Sequence, residues 1–238
     1  MYQIAKYSDI GGRSCNEDSV CVCRSNTGAF CVIVADGLGG HGGGDVASAE
    51  VCRTVSECWN AHVSARSLAE FLNAAGENVK AMQTNRCPMK STAVVLAVKD
   101  GKAAWVHVGD SRLYHFLDGK LVYQTKDHSA SQLAVLLGDI EPEQIRFHED
   151  RARLTRALGQ SDALRVEIAD EWLVPGNHAF LLCTDGFWEY VLEHEMEEDL
   201  RAAIDPEQWL NTMRQRIGKR AKPDHDNNTA AVVWLKKM

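Results

Sequence analysis

Apolar positions are grouped in two ways along this chain, and the groups take turns. Short runs at residues 3–8 and 19–24 read as strand candidates, and Ala29-Phe30-Cys31-Val32-Ile33-Val34-Ala35 is apolar throughout. An unbroken run of that length fits a strand buried on both faces, here ending at Asp36. A glycine-rich loop from Gly37 to Gly44 follows, after which Val46, Ala49, Val51, Cys52, Val55, Cys58 and Trp59 recur near a helical period. A second helix is expected from Ser67, whose capping box with Glu70 precedes the stripe Phe71, Leu72, Ala75, Val79 and Met82. Four short runs come next, at 92–98, 103–108, 112–117 and 120–123. They are divided by Asp100-Gly101, Gly109-Asp110-Ser111 and Asp118-Gly119, which predicts an antiparallel meander. Residues 125–164 are mixed and polar, as short helices and loops would be. Strands return at 165–174 and 179–184, a helix starts near Pro206, and a last strand covers 229–235.

Helices grouped between sets of antiparallel strands, without βαβ alternation, indicate an α+β fold with helices outside a sheet or pair of sheets. No repeat or linker interrupts the 238 residues, so one domain over 1–238 is expected. The net charge of −7, with no basic stripe, argues against nucleic acid as a partner. Eight cysteines without a Cys-x-x-Cys pair, and no signal-peptide or membrane-length apolar stretch, read as reduced thiols in a cytoplasmic protein.

Five acidic places stand at the ends of predicted strands: Glu17-Asp18, Asp36-Gly37, Asp110, Asp185-Gly186 and Asp226-Asn227. Taken singly, Asp-Gly is ordinary turn chemistry and Glu17-Asp18 a solvated strand end. Gathered in one cleft, these carboxylates repel one another unless cations neutralise them, and all-oxygen ligation favours Mg²⁺, Mn²⁺ or Ca²⁺. A glycine carbonyl, as at Gly37, can join such a shell. Two ions ~3.5–4 Å apart can activate a shared water toward phosphorus. Arg13, just before the first acids, offers a fork for phosphate oxygens. Phosphate-ester hydrolysis is the chemistry this set suits.

The motifs Arg13-x-x-Asn16-Glu17-Asp18, Val34-Ala35-Asp36-Gly37-Leu38-Gly39-Gly40-His41, Ser91-Thr92, Val108-Gly109-Asp110-Ser111-Arg112, Asp127-His128-Ser129, Leu154-Thr155-Arg156-Ala157-Leu158-Gly159, Thr184-Asp185-Gly186 and Asp226-Asn227-Asn228-Thr229-Ala230 follow one order. In that order the sequence resembles the type 2C metal-dependent protein phosphatases in their compact bacterial form, from about Tyr7 to Trp234. The resemblance implies a four-layer αββα sandwich, two central antiparallel sheets flanked by helix pairs. It also implies two Mn²⁺ or Mg²⁺ ions and a weaker third. Asp36 would bridge the metals with the Gly37 carbonyl on one, Asp185 and Asp226 would complete a shell, and Glu17 and Asp18 would act largely through bound waters. Asp110 with Asp185 matches the third site, Arg13 would hold the substrate phosphate, and a flap at about 127–164 would border the cleft. The implied activity is hydrolysis of phosphoserine and phosphothreonine in proteins, opposing a bacterial serine/threonine kinase. That kinase and forkhead-associated-domain proteins are the implied partners, with the enzyme a monomer. Some relatives of this size oppose a kinase that controls a secretion system.

Two departures affect these expectations. Leu38 stands where many eukaryotic relatives carry a histidine proposed as general acid, which leaves His41, a metal-bound water or no specific group as proton donor. Lys90 stands where glycine often precedes Ser91-Thr92. Histidines such as His128 are read as structural, and Arg156 as a contact of the flap. Three other readings compete. Gly37-x-Gly39-x-x-Gly42 imitates a dinucleotide fingerprint, but Asp36 would face a pyrophosphate and the second strand is missing. A catalytically silent phosphoprotein-binding module would keep the fold and usually lose a metal acid. A hydrolase of small phosphate esters would keep the acids and differ in substrate.

Overall fold

The computed structural model describes residues 2–39, 42–160 and 164–236. Its strands are β1 (Tyr2–Asp9), β2 (Asp18–Arg24), β3 (Phe30–Leu38), β4 (Lys90–Ser91), β5 (Ala93–Lys99), β6 (Lys102–Val108), β7 (Arg112–Leu117), β8 (Lys120–Gln124), β9 (Glu167–Trp172), β10 (His178–Cys183) and β11 (Asn228–Leu235). The helices are α1 (Gly44–Cys58), α2 (Ala65–Met82), α3 (Ala130–Leu137), α4 (Asp185–Trp188), α5 (Glu193–Ala202) and α6 (Pro206–Arg220). One sheet runs β1-β11-β10-β7-β8 and the other β2-β3-β5-β6-β9, with β4 beside β3. Every pairing is antiparallel.

Alternation across the pleat explains the layers. On β3, Phe30, Val32 and Val34 join Phe180 and Leu182 of β10 and Ala231 and Val233 of β11 in a core between the sheets. Their neighbours Cys31, Ile33 and Ala35 face outward against Val51 and Val55 of α1 and Leu68 and Leu72 of α2. On the far side, Leu181, Val232 and Trp234 pack under Met196 of α5 and Trp209 and Met213 of α6. The continuous apolar run of β3 follows from burial on both faces, and the result is the four-layer αββα sandwich. Each fully buried Leu, Ile or Phe in these cores contributes roughly 1.5–3 kcal/mol.

The structure corrects several expectations. The second helix begins at Ala65, and its cap is Ser64, whose hydroxyl accepts from the Ser67 N–H. Ser67 therefore supplies the donor and cannot itself be the cap. Strand β3 does not end at Asp36. It runs to Leu38, because β4 supplies partners for Gly37 and Leu38. The strand expected at 165–174 is the shorter β9. The predicted meander is split. Strands β5 and β6 form a hairpin in one sheet and β7 and β8 a hairpin in the other. Between them the chain crosses at Gly109, which has φ +98° and leaves a Cβ only 2.6 Å from the Thr92 methyl. Only glycine takes that turn without strain, and the crossing delivers Asp110 to the edge where the sheets meet.

Candidate metal centre

Strand ends at that edge position the acids. Asp18 opens β2 directly opposite Asp36 on β3, an arrangement of like charges that costs stability in a bare sheet. Asp36 is locked through its backbone: its N–H donates to Thr92 Oγ1 (3.2 Å), and its carbonyl accepts from Ser91 Oγ (2.9 Å) and the Thr92 N–H (2.8 Å). Gly37 donates to the Glu17 carbonyl (3.0 Å). A Cβ on Gly37 would lie 1.9 Å from the Gly44 carbonyl oxygen, so only glycine fits between β3 and the start of α1. Asp185 lies just beyond β10, where it opens the single turn of α4 instead of the plain turn that Asp-Gly suggests. Asp226 lies two residues before β11.

These residues share a cleft of about 810 Å³. Arg13, Glu17, Asp36, Gly37, Asp110, Asp185 and Asp226 all line it. Asp18 does not reach the lining. It is buried behind Asp36 and accepts a hydrogen bond from Thr184 Oγ1 at 2.9 Å. Arg13 is not free to point at a ligand, since its Nη2 donates to Asp226 Oδ2 at 2.9 Å. Leu154, Ala157 and Gln160, in the segment expected to form the flap, border the cleft, as does Lys90. His41, one of the proton donors considered, lies outside the described residues.

The electrostatics follow from burial and crowding. Burial first, then the charges of Asp18, Asp185, Asp110 and Asp226, pushes the Asp36 carboxyl well above the usual range. Burial and then Asp110 do the same to Asp185. Burial lifts Asp18 to about 7 against the hydrogen bonds of Thr229 and Thr184. Asp110 also rises to about 7, from burial and the charge of Asp127, and burial raises Glu17. Among the described residues the only side-chain cation paired with this group is Arg13, on Asp226. Buried carboxylates this close are stable as anions only beside added positive charge. The donor set, all oxygen and anionic, fits hard divalent cations.

Several bracing residues were not singled out by sequence reasoning. Asn227 accepts from the Glu17 N–H (2.8 Å) and donates to the carbonyls of Ile10 (2.7 Å) and Cys15 (3.0 Å), tying the Arg13–Glu17 loop to Asp226. Its place in Asp226-Asn227-Asn228 was the available signal. Trp188 Nε1 donates to the Asp110 carbonyl at 2.9 Å, and the Arg112 guanidinium stacks on its ring at 3.5 Å. Nothing in the sequence pairs residues that far apart. A second cluster of His107, His128 and Glu167 keeps its ligand atoms within 4.8 Å. There His128 Nδ1 accepts from the Gly109 N–H at 3.1 Å. Its Nε2 faces both Glu167 Oε2 at 3.2 Å and Arg156 Nη1 at 3.1 Å, so the ring holds the Gly109 crossing and ties Arg156 to β9.

Comparison with known proteins gives this geometry its context. The family model for protein phosphatase 2C matches residues 7–228. The chain is 32% identical over 199 residues to the serine/threonine phosphatase stp of Listeria monocytogenes, covering 79% of this chain and 78% of that protein. It is 26% identical over 212 residues to the protein phosphatase PhpP of Streptococcus pneumoniae, with 85% of each covered. Among solved structures, PppA of Pseudomonas aeruginosa, described as a key regulatory component of T6SS, superposes with a TM-score of 0.80 at 31% identity over 98% of this chain and 96% of that one. The catalytic domain of the serine/threonine protein phosphatase PstP, solved with two manganese ions, gives 0.82 at 27% identity over 98% and 97%. The sandwich, the acid-lined edge and a family match over nearly the whole chain agree: this chain belongs to the protein phosphatase 2C family of Mn/Mg-dependent enzymes, and it is a protein serine/threonine phosphatase.

Proposed function

We propose that this phosphatase hydrolyses phosphoserine and phosphothreonine at the β-sandwich edge, as a single-domain cytoplasmic monomer opposing a serine/threonine kinase. The kinase's own phosphorylated sites and forkhead-associated-domain proteins are the proposed substrates. The observation that carries the reading is the convergence of Asp36, Asp110, Asp185 and Asp226 on one cleft with a single paired cation. Asp36, the Gly37 carbonyl, Asp185 and Asp226 would hold two Mn²⁺ or Mg²⁺ ions, and Asp110 with Asp185 a weaker third. Glu17, on the cleft wall, and Asp18, buried behind Asp36, would act largely through waters bound to those ions. Cations so held would lower the pKa of bound water and draw charge from phosphate oxygens.

The chain's own residues do the rest. Asp36, pinned by Ser91 and Thr92, orients the attacking oxygen in line with phosphorus. Arg13 exchanges Asp226 for the substrate phosphate and stabilises charge on its equatorial oxygens. The flap segment, about 127–164, would sort substrates, since Leu154, Ala157 and Gln160 within it border the cleft. Likeness to the Pseudomonas protein supports a place in regulating a secretion apparatus. No described helix is long and apolar enough to cross a membrane.

Hydrolysis of p-nitrophenyl phosphate with Mn²⁺, with chelator, and by Asp36→Asn and Asp185→Asn tests the mechanism. Turnover should vanish with chelator and fall more than about 100-fold in both variants. Chelator-insensitive turnover would exclude it. A phosphoserine, phosphothreonine and phosphotyrosine peptide panel, run beside nucleotides and sugar phosphates, tests the substrate class. Preference for the small esters would overturn the protein-substrate assignment.

A further inference from the structure

Cys21 and Cys23 on the edge strand β2, Cys31 beside them on β3 and Cys52 on α1 sit in or against the outer core. Ser19, Cys21 and Cys23 alternate onto one face of β2. Ser48 and Cys52 lie four apart on α1, on one stripe. Ser19 Oγ and Ser48 Oγ meet at 3.0 Å, which sets the register between the two elements. Two strand residues advance about 6.6 Å and four helical residues about 6 Å, so the next rung pairs Cys21 with Cys52. Both thiols meet the outer core at that rung, Cys52 within it and Cys21 packed against it. Their positions differ. Cys52 is buried in the outer core, whereas Cys21 is only partly covered. Lys6 reaches across from β1 and donates from Nζ to the Val20 carbonyl at 3.0 Å, setting an ammonium beside Cys21.

We propose that Cys21 and Cys52 are a redox-modifiable thiol pair, in which a hydroperoxide oxidises Cys21 and Cys52 captures the product as a disulfide. The Cys21 thiolate attacks the peroxide oxygen, the O–O bond breaks, and the sulfur loses two electrons to give a sulfenic acid and hydroxide or alkoxide. Cys52 then attacks that sulfur, its proton leaves with the hydroxyl as water, and the S–S bond closes. Cys21 is chemically suited to the first step: the neighbouring Cys52 thiol, and then the Lys6 charge, push its thiol down to about 6 despite partial burial. Cys52, pushed up by the neighbouring Cys21 and by burial, stays protonated until the sulfenic acid forms. A thiolate donor beside a buried resolving thiol is the arrangement that peroxide-sensitive pairs need. The crosslink would tie β2 to α1, and α1 already meets the acid-bearing loop through the Ser48 hydroxyl on the Glu17 carbonyl (2.6 Å).

The test treats the full chain with hydrogen peroxide and maps its peptides by mass under non-reducing conditions. A Cys21–Cys52 linked peptide, reversed by dithiothreitol, is expected. At pH 6.5 Cys21 should alkylate about fivefold faster than the exposed Cys58, after allowing for the lower nucleophilicity of a low-pKa thiolate. In Cys52→Ala the sulfenic acid should persist and take a dimedone label at Cys21. Should that variant fail to fold, the alkylation ratio on the unaltered chain still decides. Equal alkylation of Cys21 and Cys58 without the linked peptide would overturn the proposal. So would a disulfide at another pair, such as the cross-strand neighbours Cys23 and Cys31.

Discussion

Asp36 is held by three hydrogen bonds through its backbone and feels the charge of four other acids, Asp18, Asp185, Asp110 and Asp226, so its own charge is what the site must neutralise. The residues around it divide by what they touch. Asn227, which lines the cleft, and Thr184 position acids through hydrogen bonds, and Asn227→Ala or Thr184→Val should cost about 10–100-fold in metal affinity or activity. Isothermal titration with Mn²⁺ on each variant checks this, and unchanged affinity and turnover would make those contacts merely structural. Arg13 behaves differently, because its partner in the free protein is Asp226. Losing a charge-assisted hydrogen bond of about 1.5–3 kcal/mol predicts a drop of 10–100-fold in kcat/KM for Arg13→Ala. Manganese affinity should fall little. A variant that loses metal instead would place Arg13 among the structural supports.

At the scale of elements, the start of α1 is pressed against β3 so closely that Gly37 admits no side chain. Gly37→Ala should therefore displace α1 or β3 and abolish Mn²⁺ binding, with a lowered melting temperature; an unaltered melting curve and affinity would contradict the packing. The other helix pair is joined by charge. Glu195 on α5 accepts from Arg216 at 2.8 Å and also from Arg220, both on α6. Chemical denaturation of Glu195→Gln should show a loss of about 2 kcal/mol, since two arginines lose their shared partner. Much at this scale was legible. The unbroken run 29–35 announced a doubly buried strand, and the 3.6-residue stripes announced α1 and α2. What escaped was non-local. Ser64 and Ser67 are both plausible caps until packing chooses one, and no local pattern shows that the chain leaves one sheet for the other at Gly109. The acids themselves were legible because each sits where a strand meets a polar turn; the hydrogen bonds of Asn227, Thr184 and Trp188 were not, because their partners lie far away in sequence.

For the whole molecule, the acid cage and the Glu195 network pull stability in opposite directions with pH. Asp18 and Asp110, raised to about 7 in the fold, contribute stability that is full below about pH 4 and is lost as pH rises through 7. Glu195, lowered to about 2 chiefly by Arg220, contributes stability that is present above about pH 4.5 and is lost as pH falls toward 2. Chelated protein should thus lose urea resistance between pH 5 and 8, and Mn²⁺ should remove that loss; a chelated protein with a flat profile would contradict it. The direct test of the central claim is anomalous diffraction from a crystal grown with Mn²⁺. Two strong peaks between Asp36, the Gly37 carbonyl, Asp185 and Asp226 are predicted. An empty cleft, or peaks held by other side chains, would contradict the account.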